Sequence, residues 1–383
     1  MSFVVEGNGE QQVATLLTEL LGTTAFGSWV DGELVEGKGE TVSLVNPATG
    51  QAFMEYRDAG EAVVAAAAEA ARRAQKQWWG LTASARGRLM WACADKIRAV
   101  AESLAQLESV SAGKPIRDCR VEVAKVAEMF EYYAGWCDKL GGEVIPVPTS
   151  HLNYTRHEPY GVVTQITPWN APVFTCGWQI APAICAGNGV LLKPSELTPL
   201  SSTVVAKLIE EAGIPKGLVN VINGLGQTTG AAAIGNPVTK KVVFVGSPRT
   251  GGVIATAAAQ RVIPCVLELG GKSANIVFND ADIDRAVVGA QHRGHHPPSS
   301  AGLLRHQRPD LGADGRLVVG ALTPAALSVA GAGSRGAGSG PGDDRVRGRA
   351  LRRAHAFSGG RGGASLRGGG SDDPCRAGRV AGR

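Results

Sequence analysis

A single carboxylate set among apolar residues is the first feature here that suggests chemistry. In Leu267 Glu268 Leu269 Gly270 Gly271 Lys272, Glu268 closes the apolar run Val262 to Leu267, interrupted only by Pro264. A carboxyl buried at a strand end has its charged form disfavoured, which raises its pKa toward the range of a general base. The paired glycines let backbone approach a ligand or another segment closely. A Glu before a Gly-Gly turn is also a common solvated loop residue, so Glu268 takes its meaning from the rest of the chain.

Four further polar groups stand where an apolar run ends. Thr167 Pro168 Trp169 Asn170 offers a side-chain amide able to donate to a developing oxyanion, or simply a turn asparagine. Lys193 Pro194 Ser195 Glu196 offers an ammonium and a carboxylate for the hydroxyls of a ribose, or an exposed ion pair. Gly224 Leu225 Gly226 Gln227 Thr228 Thr229 Gly230 offers a phosphate a route into a helix N-terminus, but departs from GxGxxG by one residue. Phe244 Val245 Gly246 Ser247 Pro248 sets an N-cap, Ser247, before a proline at the first helical position. Unpaired N–H groups then face an anion, as in any capped helix.

The elements that must position these groups change character at Tyr160. Before it, Trp29 to Leu34 and Thr41 to Val45 read as strands, ended by the turn Asn46 Pro47 Ala48 Thr49 Gly50. Three helices follow. The first starts at Asp58, with Glu61 completing a capping box, and runs to Trp79. The second carries Leu89, Cys93, Ile97, Ala101 and Leu104 on one face and stops at Gly113 and Pro115; the third covers Asp118 to Leu140. An extended stretch with Pro146 and Pro148 leads to a hairpin strand at Leu152 to Glu158, whose alternating polar residues suit a sheet edge. After Tyr160, short Val/Ile/Leu-rich strands (161–167, 189–192, 218–222, 241–245, 262–267, 274–278) alternate with helices (171–186, 200–212, 228–234, 250–260). That alternation predicts an α/β fold with an open parallel sheet whose ligands bind outside the carboxyl ends of the strands, where the polar groups fall.

Composition narrows the alternatives. Residues 292–383 hold 15 Arg against 6 Asp and neither Lys nor Glu, a net of +9, which leaves −4 for the first 291 residues. The whole-chain charge of +5 therefore describes neither part and does not argue for nucleic acid. Seven cysteines (Cys93, Cys119, Cys137, Cys176, Cys185, Cys265, Cys375) form no CxxC pair and no metal spacing, so neither a zinc site nor a disulfide framework is expected. With no signal-like N-terminus and no run long enough to span a bilayer, the expectation is a cytoplasmic protein.

In this order and spacing, Pro168 Trp169 Asn170, Lys193 Pro194 Ser195 Glu196, Phe244 Val245 Gly246 Ser247 and Glu268 Leu269 Gly270 Gly271 Lys272 resemble the signatures of the aldehyde dehydrogenase superfamily. The resemblance covers roughly Phe26 to Ala290. It implies a Rossmann-like NAD-binding domain over residues 1–269, with an oligomerisation hairpin at 140–158 and a catalytic domain beginning at 270–291. Asn170 is then half of an oxyanion hole and Glu268 the base that activates water for thioester hydrolysis. Lys193 and Glu196 hold the adenine ribose, Ser247 meets the pyrophosphate, and Ile166 and Trp169 line the channel. Gly226, Gly230 and Leu269 complete the cofactor contacts. A carboxylate accepting from ribose hydroxyls repels a 2′-phosphate, so Glu196 favours NAD over NADP. The implied partners are a small-molecule aldehyde and further copies of the chain.

The resemblance stops near Gln291. In the family the nucleophilic cysteine lies some thirty to thirty-five residues after the base, yet His292 to Asp310 contains no cysteine, and nothing marks Cys375 as a substitute. The last 92 residues include 21 Gly and no Ile, Tyr, Trp or Met, a composition that does not offset the entropy of ordering. Disorder and a reading-frame shift near Gln291 are the expectations for this tail, and the chain as it stands is expected to be inactive. The alternative is a non-catalytic NAD-binding fragment, with or without a tail that contacts nucleic acid.

Overall fold

The computed structural model describes residues 9–148, 150–271, 275–276, 280–282, 284–287 and 318–319, all within one unit, Met1–Leu327. The chain opens on helix α1 (Gly9–Leu21), where Val13, Leu16, Leu17, Leu20 and Leu21 recur every three or four residues and are buried together. The segment expected as one strand at Trp29 to Leu34 is instead a hairpin of β1 (Ser28–Val30) and β2 (Glu33–Val35). Asp31 and Gly32 turn it with φ of 53° and 87°, the two positive values that an Asp-Gly hairpin turn requires. β3 (Thr41–Val45) and β4 (Ala52–Arg57) pair antiparallel as a second hairpin.

Four helices follow where three are expected: α2 (Gly60–Gly80), α3 (Ala83–Ala99), α4 (Ala101–Ala112) and α5 (Ile116–Ala134). The apolar face from Leu89 to Leu104 runs across a break at Val100, whose φ of −115° and ψ of 17° leave the helical region. No Gly or Pro marks it. Asp58 does not cap α2, whose N-cap Ala59 has no side-chain partner; the carboxylate is drawn to a loop far along the chain, described below. The exposed two-residue strands β5 (Val144–Ile145) and β6 (Asn153–Tyr154) form the hairpin expected near Leu152.

The alternating half matches its reading closely. β7 (Val162–Ile166), α6 (Pro172–Cys185), β8 (Gly189–Lys193), α7 (Leu200–Glu211), β9 (Val219–Val221), a π-turn at Gly226–Gly230 running into the short α8 (Ala231–Gly235), β10 (Thr239–Gly246), α9 (Pro248–Gln260) and β11 (Cys265–Leu269) follow in order. β7 to β11 lie parallel, and the sheet order is β11-β10-β7-β8-β9-β1-β2. Alternate residues bury opposite faces. Val163, Val190, Leu192, Val219 and Val221 join the large cluster that includes Trp78, Phe130 and Ile180, while Val162, Leu191 and Ile222 pack on α2. Full burial of a large apolar side chain contributes about 2 kcal/mol. Trp78 keeps that gain because its indole N–H donates to the Ile184 carbonyl at 2.7 Å.

Beyond β11, β12 (Asn275–Ile276) pairs antiparallel with β13 (Val318–Val319). That pairing departs, at two residues, from the disorder expected of the tail; the remainder of 292–383 lies outside the described residues. No helix among the described residues is long and apolar enough to cross a membrane.

The strand expected from Val262 starts only at Cys265, because Val262 belongs to the end of α9. Val262 N–H donates to the Ala259 carbonyl and Ile263 N–H to the Ala258 carbonyl, at 3.0 and 3.1 Å, the bond pair of a helix stop that places one residue in the left-handed region. That residue is Val262, at φ 52° and 91% exposed, a β-branched side chain with strain and no compensating burial. Val262→Gly is expected to raise stability by about 1 kcal/mol in urea unfolding; a lower unfolding midpoint would contradict this account of the turn.

Candidate functional site

The strand order reverses between β7 and β10, with β8 and β9 on one side and β11 on the other, which opens a crevice at the carboxyl ends. The register sets Lys193, Ile166, Phe244 and Leu267 in one row across β8, β7, β10 and β11, spaced about 4.8 Å per strand. The pleat then divides the candidate residues. Ile166 and Leu267 pack with Phe244 and Ile254 on the α9 side, whereas Gln165, Val243, Val266 and Glu268 line a cavity beneath α6.

On the first side, Lys193 is buried and donates to the Pro194 carbonyl at 3.0 Å and to Glu196 at 3.3 Å. Burial holds its pKa below the usual lysine value, against the pull of Glu196 and Asp58. The pair is therefore not the exposed ion pair the sequence also allowed: the ammonium is 3% exposed and the carboxylate 40%. Ser247 caps α9 as expected, accepting from Thr250 N–H at 3.2 Å, with Pro248 at the first position. Leu269 ends β11 against Gly251 of α9, where an added Cβ would lie 2.6 Å from it.

The Gly224–Gly230 loop corrects its reading as a phosphate lead. Leu225 N–H, Thr228 hydroxyl and Thr229 hydroxyl all donate to one oxygen of Asp58, at 2.6, 2.9 and 2.8 Å. The chain's own carboxylate thus occupies the donors an anion would use. Gly226 lies exposed at the rim, and Gly230 packs on the stem of Lys193.

On the second side, Glu268 is exposed, contrary to the burial expected of it. β11 is the outer strand of the described sheet, so its neighbours Val266 and Leu269 are also 39% and 43% exposed. Glu268 lines a cavity of about 520 Å³ with Trp178, Gln179 and Gln165. Gln165 Oε1 and both polar atoms of the Gln179 side chain are buried there without a hydrogen-bond partner, a costly state that a polar occupant relieves. Asn170 is half-buried one residue before the N-cap of α6, and Trp169 is held through its carbonyl by Thr198 Oγ1 at 3.4 Å.

Sequence reading missed Glu108, which fixes that helix start. Its carboxylate accepts from Val173 N–H at 3.1 Å and is fully buried beside Lys114, Glu122, Cys119 and Cys176. Burial pushes Glu108 up to about 7, outweighing the Val173 N–H and Lys114, which pull it down. A carboxyl raised on folding contributes stability that is intact below about pH 4.5 and lost as pH rises through about 7, a total near 3 kcal/mol. Glu108→Gln keeps an acceptor for Val173 and removes the titration. Its stability should therefore fall by about 3 kcal/mol less than the parent's between pH 4.5 and 8 in urea unfolding; parallel pH curves would contradict this.

None of the described cysteines stands in for a nucleophile beside Glu268. Cys93, Cys119 and Cys176 are buried, with burial pushing each thiol up. Cys265 shares the α9 side of β11 with Leu267, away from Glu268. Cys137 and Cys185 line the cavity, but both are buried, and the Cys137 thiol contacts the Tyr133 carbonyl and the Met90 sulfur, each at 3.6 Å. No group of three or more His, Cys, Asp or Glu among the described residues could hold a metal ion.

Residues 34–295 match the sequence model of the Aldehyde dehydrogenase family. An aldehyde dehydrogenase of Aspergillus niger is 45% identical over 265 residues, which are 68% of this chain and 53% of that protein. Retinal dehydrogenase 2 of Homo sapiens is 44% identical over 261 residues, 67% and 50% of the two chains. The NAD+ complex of an aldehyde dehydrogenase from Bacillus cereus superposes with a TM-score of 0.67 at 41% identity, covering 69% of this chain and 55% of that one. The chain spans about half the length of the relatives it matches. A family match over most of the chain, on the fold and strand-end residues described above, means that this chain belongs to the aldehyde dehydrogenase family.

Proposed function

We propose that this chain carries the NAD-binding part of an aldehyde dehydrogenase and that, as it stands, it binds NAD without oxidising aldehydes. The observation that carries the reading is the pairing of buried Lys193 with partly exposed Glu196 at the β8 end of the crevice. An ammonium and a carboxylate so placed suit the two hydroxyls of a ribose, and the carboxylate opposes a 2′-phosphate. Ser247 and the first turn of α9 offer N–H groups to a pyrophosphate across the crevice, with Ile166, Trp169 and Leu269 along its length, Gly230 on the stem of Lys193 and Gly226 exposed in the same loop. Bound NAD supplies the hydride acceptor for aldehyde oxidation.

The chain's own residues supply part of the remaining chemistry. Asn170 lies free of hydrogen bonds among the described residues and has an amide to donate to an oxyanion. Glu268 faces an open cavity from which it can take a proton from water. The missing part is the thiolate that would attack the carbonyl carbon, since His292 to Asp310 holds no cysteine. The family match ends at residue 295, close to where composition shifts, in keeping with a frame shift near Gln291. Translation of the coding DNA in the other frames should recover family sequence with a cysteine about ten residues on. The exposed β5–β6 hairpin suits contact with a second copy, and a cytoplasmic setting fits the free thiols.

Incubation of the chain with NAD and a panel of aldehydes is expected to yield no NADH above that given by Glu268→Ala. Turnover by the parent that falls in the variant would overturn the claim of inactivity.

A further inference from the structure

Asp58 is a buried carboxylate that the reading above leaves without a role. It sits just after β4, 2% exposed, and a lone carboxylate removed from water costs several kcal/mol unless charges and donors compensate it. Its compensation comes from far along the chain: Leu225 N–H, Thr228 and Thr229 converge on Oδ1, and the Lys193 ammonium feels its charge. Thr229 Oγ1 in turn accepts from Gly60 N–H at 3.0 Å, tying the loop to the start of α2. Two glycines make the space. A Cβ on Gly224 would fall 2.1 Å from Asp58 Oδ1, and one on Gly39 would fall 2.7 Å from Oδ2.

Two residues earlier, on β4, Tyr56 is buried and its hydroxyl donates to the Glu196 carbonyl at 3.2 Å. β4 thus sends Tyr56 under the Lys193–Glu196 turn and its end sends Asp58 under the Gly224–Gly230 loop. Lys193 touches both loops, donating to Glu196 and packing its stem on Gly230. The upper surface of this corner stays open, with Gly226, Gln227 and Thr228 exposed and the Glu196 carboxylate 40% exposed.

We propose that Asp58 is a positioning residue for the adenosine half of a dinucleotide: its carboxylate fixes the Gly224–Gly230 loop, whose Gly230 packs on the stem of Lys193, in the arrangement that receives the ribose, without touching the ligand. The inference rests on the NAD reading and adds a residue to it. Because the effect is confined to one end of the ligand, AMP must feel it as strongly as NAD.

Calorimetric titration of the full chain with NAD and with AMP tests this. Asp58→Ala is expected to weaken both by a similar factor, roughly tenfold or more. Asp58→Asn, which keeps the accepting oxygen, should recover to within about threefold of the parent. Thr228→Val removes one of the three donors to Asp58 and should weaken AMP several-fold with a smaller loss of melting temperature than Asp58→Ala, which keeps the test open even if Asp58→Ala does not fold. Unaltered AMP affinity in Thr228→Val or in folded Asp58→Ala overturns the proposal, as does loss of NAD binding with AMP binding intact. A parent chain that binds neither ligand overturns the dinucleotide reading itself.

Discussion

The parallel pairing of β7 with β10 is the constraint on which the rest of the site depends. It is where the strand order reverses, so the loops on either side splay apart and leave a crevice that no side chain of the sheet needs to fill. Its register, with Ile166 beside Phe244, fixes how far each strand projects and therefore where Lys193, Asn170, Ser247 and Glu268 begin. A slip of one residue would exchange the α9 and α6 faces of β10, and would send the Glu268 row and the Lys193 row to the same side.

Desolvation shapes the site on both faces. Lys193, Asp58 and Glu108 are each taken out of water; Asp58 and Glu108 are held by partners from distant parts of the chain, Lys193 by the neighbouring Pro194 carbonyl and Glu196. Removing charge from water costs more than any single hydrogen bond returns, so such groups fix geometry more than they add stability. Asp58 holds a loop and Glu108 holds the N-terminus of α6. On the α6 side the compensation is incomplete among the described residues, since Gln165 and Gln179 keep unpaired polar atoms beside the cavity that Glu268 lines.

Much of this was legible in the sequence because the parallel strands announce themselves. Gly161 to Thr167 and Gly189 to Leu192 are short apolar runs bounded by turns, and their positions differ from β7 and β8 by a residue or so at each end. The Asp31-Gly32 turn carried its own signal, yet the apolar residues on both sides make one long strand look plausible. Asp58 was harder. Its Asp-x-x-Glu pattern is a genuine capping signature, and only the tertiary fold brings Leu225 and two threonines to compete for the same carboxylate. The bond from Glu108 to Val173 spans 65 positions, and no local pattern encodes it. Glu268 was placed on the right strand but given the wrong exposure, because burial at a sheet edge depends on what packs beyond it.

The central claim is that the residues for the adenosine half of the cofactor are in place and choose a ribose with a free 2′-hydroxyl. Calorimetric titration of the chain with NAD and NADP side by side tests it most directly. The account predicts saturable one-to-one binding of NAD and at least about tenfold weaker binding of NADP. Equal affinity for the two, or tighter binding of NADP, would contradict it.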